Sequence, residues 1–332
     1  MIRRVTTEIT KVDARAIKAA ARILRDGGLV AFPTETVYGL GADATNGVAV
    51  AKLYAAKGRP SFNPLIAHVS DLVAARQVAR FSDAANRLAA FWPGPLTLVL
   101  PKKPGCPVAE LATAGLETIA VRVPAHPVAR DLLAIFGRPI VAPSANRSGH
   151  VSPTDAHHVL ADLDGRVNLV MDGGSSPVGV ESSIVACIDD STRLLRPGGL
   201  PRADLERALG KALITEVAAI NDADGAPIAP GMLTSHYAPR ARIRLNADCV
   251  RAGEAVLAFG AKCPPGGQQA AMLLNLSEQG DLVEAAANLF AHLRALDASG
   301  VASIAVMPVP FEGLGEAIND RLVRAAAPRP SS

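Results

Sequence analysis

The sequence predicts an α/β protein in two units, a larger one built on a mixed sheet with flanking helices and a smaller doubly wound one. Two observations carry this expectation. Short apolar runs of strand length are interleaved, without strict alternation, with segments whose apolar residues recur at helical spacing. A stretch with three prolines and two glycines, NDADGAPIAPGMLTSHYAPRA, then breaks the pattern before it resumes. At 332 residues, 49% of them apolar and 20% charged, the chain can bury two cores. The expected boundaries are 1–215 for the first unit, 216–240 for the linker and 241–328 for the second unit.

In the first unit, Ile17, Ala20, Ala21 and Leu24 share one helical face after a cap at Asp13, and Gly27–Gly28 stops that helix. LVAF at 29–32 reads as a buried strand, and a helix over VAVAKLYAAK follows. Helices are expected after Ser70 and Ser82, strands at TLVL and TIAVRV, and a helix over HPVARDLLAIFG ending on Gly137. The strand PIVA, a helix from Thr154 to Leu163, and strands NLVMD, SSIVACI and RLLRP complete the unit. In the second unit, ARIRL, AVLAFG, AMLLNL and SIAVMPV read as four strands, with one long helix between the last two. GLGEAINDRLVRAA closes it as a helix with Leu322 and Val323 packing inward.

A net charge of +3 is too small to argue for nucleic acid, and the absence of basic tracts and the 4% aromatic content argue against an RNA-binding module. The N-terminus shows no signal-peptide pattern and no run approaches a membrane span, so a cytoplasmic protein is expected. Cys106, Cys187, Cys249 and Cys263 are too far apart for a metal site and read as buried thiols or surface passengers. His157, His158 and Asp162 read as a solvated helix face.

Three constellations carry chemistry. Lys57 and Arg59 flank Gly58, where the helix should stop. They either complement the helix dipole or, as exposed loop cations, close on one polyanion, with Pro60 and Pro64 stiffening the loop around Asn63. Thr34 and Thr36, inside PTETVYGLG, would share one face of an extended segment, with Glu35 on the other. Ser144 and Asn146 sit in PIVAPSANRSG, a strand that delivers donors into a turn. Arg122, inside an apolar strand, must find a partner, and a substrate carboxylate fits its fork. His68, on the apolar IAHV, would by itself be read as a core histidine. Gly39-x-Gly41-x-x-Ala44 is set aside as a dinucleotide fingerprint because no acidic residue follows about 20 positions later. The chain has neither a Walker loop nor a GxSxG elbow.

Taken together, AFPTETVYGLG, KGRPSFNPL and PSANRSG resemble the threonylcarbamoyl-AMP synthases of the YrdC family, in the form with an additional C-terminal domain. The resemblance implies a YrdC-like twisted sheet, a Rossmann-like second domain, and formation of threonylcarbamoyl-adenylate from ATP, L-threonine and bicarbonate, for a tRNA threonylcarbamoyl transferase downstream. It implies that Lys57 and Arg59 are catalytic and contact the nucleotide phosphates, and that Asn63, Thr118, Ser144, Asn146, Ser152, Arg196 and Tyr237 also lie on ATP. Thr36, His68, Arg122, Ser182 and the Ala142 backbone would hold threonine. Mg²⁺ would ride mainly on the phosphates. The segment bearing His236 and Tyr237 would serve as a flap, and direct tRNA contact would be weak or absent. A carbamoyl-adenylate enzyme of hydrogenase maturation is the related alternative, but this chain lacks the acylphosphatase and zinc-finger segments such enzymes carry.

Overall fold

A computed structural model describes residues 5–188, 191–215, 236–262 and 264–328. The first unit opens with β1 (Glu8–Lys11) and α1 (Ala14–Arg25), whose cap Asp13 accepts from the Ala16 amide, as its sequence requires. β2 (Val30–Phe32), β3 (Gly39–Asp43), α2 (Gly47–Lys57), β4 (Ile66–His68), α3 (Leu72–Val78) and α4 (Asp83–Leu88) follow. Next come β5 (Leu96–Pro101), β6 (Thr118–Arg122), α5 (Pro127–Phe136), β7 (Ile140–Val141) and α6 (Ala156–Leu163). β8 (Leu169–Asp172), β9 (Ser183–Ile188), β10 (Ser191–Arg196) and α7 (Arg202–Leu209) complete the unit. Its ten-stranded sheet runs β1-β8-β2-β3-β7-β4-β6-β5-β9-β10 and mixes parallel with antiparallel pairs. Apolar layers cover both faces, one including Leu40, Leu53, Leu98 and Val185, the other Leu24, Phe32, Leu132 and Met171.

Two strands escape a reading of local pattern. β1 is polar and mostly exposed, and it exists because β8 lends it a parallel edge. β3 carries two glycines, and a Cβ at Gly41 would stand 2.9 Å from Phe32 and 3.1 Å from the Val30 carbonyl, so close strand approach demands glycine there. The Thr34 and Thr36 hydroxyls do meet, at 2.8 Å, but the expected alternation fails for Glu35, which reaches Arg122 together with Thr36. Residues 33–38 turn between β2 and β3, with Thr34 Oγ1 donating to the Val37 carbonyl at 2.6 Å, which the two antiparallel strands require of their connection.

The second unit holds β11 (Arg242–Arg244), β12 (Ala255–Ala258), β13 (Leu273–Asn275), α8 (Leu282–Ala298), β14 (Ser303–Val306) and α9 (Gly315–Ala326). Its four strands are all parallel in the order β11-β14-β12-β13, as a small doubly wound sheet needs. Leu322 is buried as expected, but Val323 is 56% exposed, because the inward face of α9 instead takes Ile318 and Arg321. The unit's apolar core continues into the first unit through Val37, Val151 and Val180. Arg294 of α8 donates to the Val151 carbonyl and pairs with Asp162 at 2.8 Å, while Arg202 pairs with Glu316. Among the described cysteines, Cys187 is buried, Cys249 exposed and Cys106 intermediate. Cys263 lies outside the described residues.

Gly179 sits where the backbone of the first unit lies close against α8. Its φ is +74°, and a Cβ there would stand 2.3 Å from the Ala286 carbonyl and 2.4 Å from Ala287 Cα on α8. Gly179→Ala is therefore expected to push α8 away and to cost more than about 1 kcal/mol. Calorimetric melting should show a lower midpoint, and an unchanged melt would mean the junction yields without strain.

Candidate active site

Seven segments distant in sequence converge on one cleft. They are the turn after β2 (Thr36, Val37), the end of α2 (Arg59), β4 (Ile66, His68), the end of β6 (Arg122), the segment after β7 (Ala142–Ser144), one end of the antiparallel β9–β10 pair (Glu181, Ser182, Arg196), and His236 with Tyr237. The sheet order explains the meeting, since β7, β4 and β6 are neighbours and their register sets His68 beside Ile140 on one side and Arg122 on the other. As placed, these side chains leave about 50 Å³ of free space between them.

Arg122 is 4% exposed and does find partners inside the protein. Its Nη2 donates to Glu35 Oε1 at 2.6 Å, Nη1 to Thr36 Oγ1 at 2.9 Å and Nε to the Gly94 carbonyl at 3.2 Å. A guanidinium has five N–H donors, so two remain beyond these bonds. Burial would raise the Glu35 carboxyl, yet the Arg122 charge and hydrogen bond outweigh it and hold the group ionised. His68 packs against this pair with Nδ1 3.2 Å from the Ile66 carbonyl. Burial pushes its pKa down to about 3, with the Arg122 cation adding to the effect, so the ring is neutral near pH 7.

Lys57 departs from expectation. Gly58 stops α2 with φ +61°, as its sequence indicates, but the lysine beside it is only 2% exposed and does not line the cleft. Its ammonium donates to the Ser144 carbonyl (2.5 Å), the Asn146 carbonyl (2.5 Å) and Asn146 Oδ1 (3.4 Å). All three donors are thereby used to shape the Ser144–Asn146 turn, in which Ser144 Oγ donates to Asn146 Oδ1 at 2.6 Å. Arg59 does line the cleft, and it braces its own loop by donating to the Asn63 and Pro64 carbonyls. The pair is thus not two exposed loop cations but one buried brace and one half-buried cleft residue.

The remaining expected residues divide in the same way. Arg196 and Ser182 line the cleft together, with Arg196 Nη2 donating to the Ser182 carbonyl at 2.8 Å and Thr97 hydrogen-bonded to Ser182 Oγ at 2.8 Å. Ala142, Ser144, Thr36 and Tyr237 line it too. Asn63, Asn146 and Ser152 lie buried behind it, and Asn63 Oδ1 has no hydrogen-bond partner. Thr118 stands at the far end of β6 from Arg122, about 13 Å along the strand. Most of the proposed flap, 216–235, lies outside the described residues. His158 contacts Asp155, Asp162 contacts His150 and forms an ion pair with Arg294, and His157 is exposed, so this face is partly solvated and partly engaged by α8.

Sequence reasoning missed Glu181. This carboxylate, in GVESSIV just ahead of β9, lines the cleft and accepts from Ser152 Oγ at 2.6 Å and Arg321 Nε at 2.8 Å. Burial would raise its pKa, but the Arg321 and Arg196 charges and the two hydrogen bonds hold it at about 2. A glutamate two residues ahead of a largely apolar strand was the available signal.

Two outcomes follow. Lys57→Ala should destabilise the protein by about 1.5–3 kcal/mol in denaturant titrations, because it strands buried acceptors, whereas Arg59→Ala should leave the midpoint nearly in place. The neutral burial of His68 and His236, both pushed to about 3 against an ordinary 6.5, gives a pH signature. Below pH 6.5 the unfolded chain takes up protons that the folded one refuses, so stability should fall as pH drops from about 6.5 to 4.5. His68→Gln should flatten that slope by up to one proton, about 1.4 kcal/mol per pH unit, and an unaltered slope would show that His68 titrates normally.

Comparison with known proteins agrees with this geometry. Residues 22–198 match the Sua5/YciO/YrdC family model, described as telomere recombination, and residues 200–327 match the model of the threonylcarbamoyl-AMP synthase C-terminal domain. The Bacillus subtilis threonylcarbamoyl-AMP synthase is 41% identical, covering 98% of this chain and 96% of its own. The Pyrococcus abyssi protein of the same name is 42% identical across 96% of each. The crystal structure of P. abyssi Sua5 complexed with L-threonine matches with a TM-score of 0.85 at 38% identity over 97% of both chains. The chain belongs to the threonylcarbamoyl-AMP synthase family, in the form that carries a second, C-terminal domain.

Proposed function

We propose that this protein joins L-threonine, bicarbonate and ATP into threonylcarbamoyl-adenylate with release of pyrophosphate. The product would go, in the cytoplasm, to a transferase that modifies an adenosine of tRNA. One observation carries the reading: a single cleft sets Arg122, Thr36, His68 and Ser182 against Arg59, Arg196 and Ser144. The first group suits a small amino acid whose carboxylate meets the remaining N–H donors of Arg122. The second suits a polyanion.

The chemistry asks mainly for positioning. Threonine's amine attacks the carbon of bicarbonate, a C–O bond of bicarbonate breaks, and its oxygen leaves as water with a proton from the amine, giving a carbamate. A carbamate oxygen then attacks the α-phosphorus, the bond from that phosphorus to the β-bridging oxygen breaks, and pyrophosphate leaves. Arg59 and Arg196 would offset the charge on the phosphoryl oxygens as it redistributes. His68, being neutral, leaves the attacking carbamate without a cation that would dull it. Ligand sites for drug-sized molecules span about 300–1,000 Å³, so the roughly 50 Å³ now open implies that the lining, His236 and Tyr237 foremost, shifts to admit ATP. The described residues hold no cluster of three or more His, Cys, Asp or Glu side chains suited to a metal. In this reading Mg²⁺ therefore enters with the nucleotide, and none of the steps above is assigned to it.

Exchange of labelled pyrophosphate into ATP, dependent on threonine and bicarbonate, tests the reading, and a protein that exchanges without threonine would refute it. Arg122→Lys should raise the threonine KM roughly tenfold or more while the ATP KM stays within about twofold, since an ammonium can still satisfy Glu35 but cannot supply a fork. Equal loss for both substrates would make Arg122 a structural residue.

A further inference from the structure

Among the described residues, those of the second unit supply none to the cleft lining, whose His236 and Tyr237 belong to the linker, yet one side chain of that unit lies directly behind the lining. Arg321, at the middle of α9, is 0% exposed. Its Nε donates to Glu181 Oε2 at 2.8 Å and its Nη1 to Asp320 Oδ2 at 2.5 Å, while Nη2 has no hydrogen-bond partner. Its guanidinium carbon sits 5.4 Å from the centre of the Tyr237 ring, which also stacks on Phe290 of α8 at 5.4 Å and 27°. Tyr237 is held at φ +62°, a left-handed conformation uncommon for a tyrosine, so its ring direction is set by its surroundings rather than by its own backbone preference.

Stability alone is a poor reason for such a side chain. Burying a guanidinium costs several kcal/mol, and an ion pair of this kind can often be replaced by apolar residues at no loss. The partners suggest a different reason. Glu181 is the one carboxylate among the residues lining a cleft whose other charged members are Arg59, Arg122 and Arg196. Left without Arg321, it would repel the polyanion that the cleft is suited to receive. Tyr237, without the Arg321 cation over its ring, would be left with only its ring contacts to Phe290 and His236.

Building on the function proposed above, we propose that Arg321 is a positioning residue of the C-terminal domain: it neutralises Glu181 and props Tyr237, so that docking of that domain sets the nucleotide side of the cleft. The hydrogen bonds of Arg321 go to Glu181 and Asp320 and to none of Arg122, Thr36, His68 and Ser182 on the threonine side, although Ser182 follows Glu181 in the chain. The C-terminal domain thus tunes one substrate and not the other.

The test uses the full chain and measures ATP and threonine binding separately by calorimetry, alongside pyrophosphate exchange. Arg321→Met should weaken ATP binding roughly tenfold or more and leave threonine within about twofold. Glu181→Gln in the same chain should recover part of the loss, because it removes the charge that Arg321 had balanced. Combined with Tyr237→Ala, Arg321→Met should add little beyond the larger single effect, the non-additivity expected when one residue acts through another. A general structural role predicts instead that both substrates weaken together and that the effects add, and either result overturns the proposal. Should Arg321→Met fail to fold, the double variant Glu181→Gln/Arg321→Met avoids a buried unpaired charge, and ATP affinity equal to that of Glu181→Gln alone would refute the support of Tyr237. If the unaltered protein shows no threonine-dependent exchange, the functional reading fails, while ATP calorimetry still decides the role of Arg321.

Discussion

Buried positive charge is the constraint on which this structure turns. Lys57, Arg122, Arg196 and Arg321 are each under 5% exposed, and each sits in or directly behind a cleft suited to anions. A cation removed from water needs acceptors, and here they come from the chain itself: two turn carbonyls and an amide for Lys57, Glu35 for Arg122, the Ser182 carbonyl for Arg196, Glu181 and Asp320 for Arg321. The acceptors are mostly carbonyls and hydroxyls rather than carboxylates. That choice satisfies hydrogen bonding while leaving the net field positive, so the cleft remains attractive to phosphate and carboxylate groups.

The same economy explains which parts of the fold could be read from sequence. Caps and stops are local chemistry, so Asp13, Ser82, Gly58 and Gly137 each announce a helix end that the structure contains. Apolar strands flanked by turns are likewise legible, and the four strands of the second unit form the small parallel sheet that their spacing suggests. What stayed hidden depends on distant partners. β1 is a strand only because β8 pairs with it, and β3 is a glycine-bearing strand only because β2 and β7 flank it. Val323 faces water because Arg321, two positions earlier, takes the inward face for Glu181.

The site divides along the same line. Three motif loops deliver Thr36, Arg59 and Ser144 to the cleft, and the apolar strand around Arg122 makes its need for a partner plain. The sequence could not say that the nearest partner is Glu35, since the two are 87 residues apart and the turn that joins them is neither strand nor helix. Nor could it distinguish Lys57 from Arg59. Both follow from where α2 ends relative to the Ser144–Asn146 turn, a tertiary fact that sends one cation inward and leaves the next half-buried at the cleft wall.

If Arg122 holds the substrate carboxylate, as proposed above, its internal partner need not compete for it. Glu35 takes one N–H, Thr36 and Gly94 take two more, and the guanidinium plane is fixed before any ligand arrives. An incoming carboxylate then meets donors already oriented, and the entropy of holding a long side chain still has been spent during folding. Glu35 lowers the attraction that a bare cation would exert, but it does so evenly for any anion. Under the proposed function, discrimination would therefore rest on the geometry of the remaining donors and on the hydroxyls of Thr36 and Ser182 that line the same cleft, rather than on charge alone.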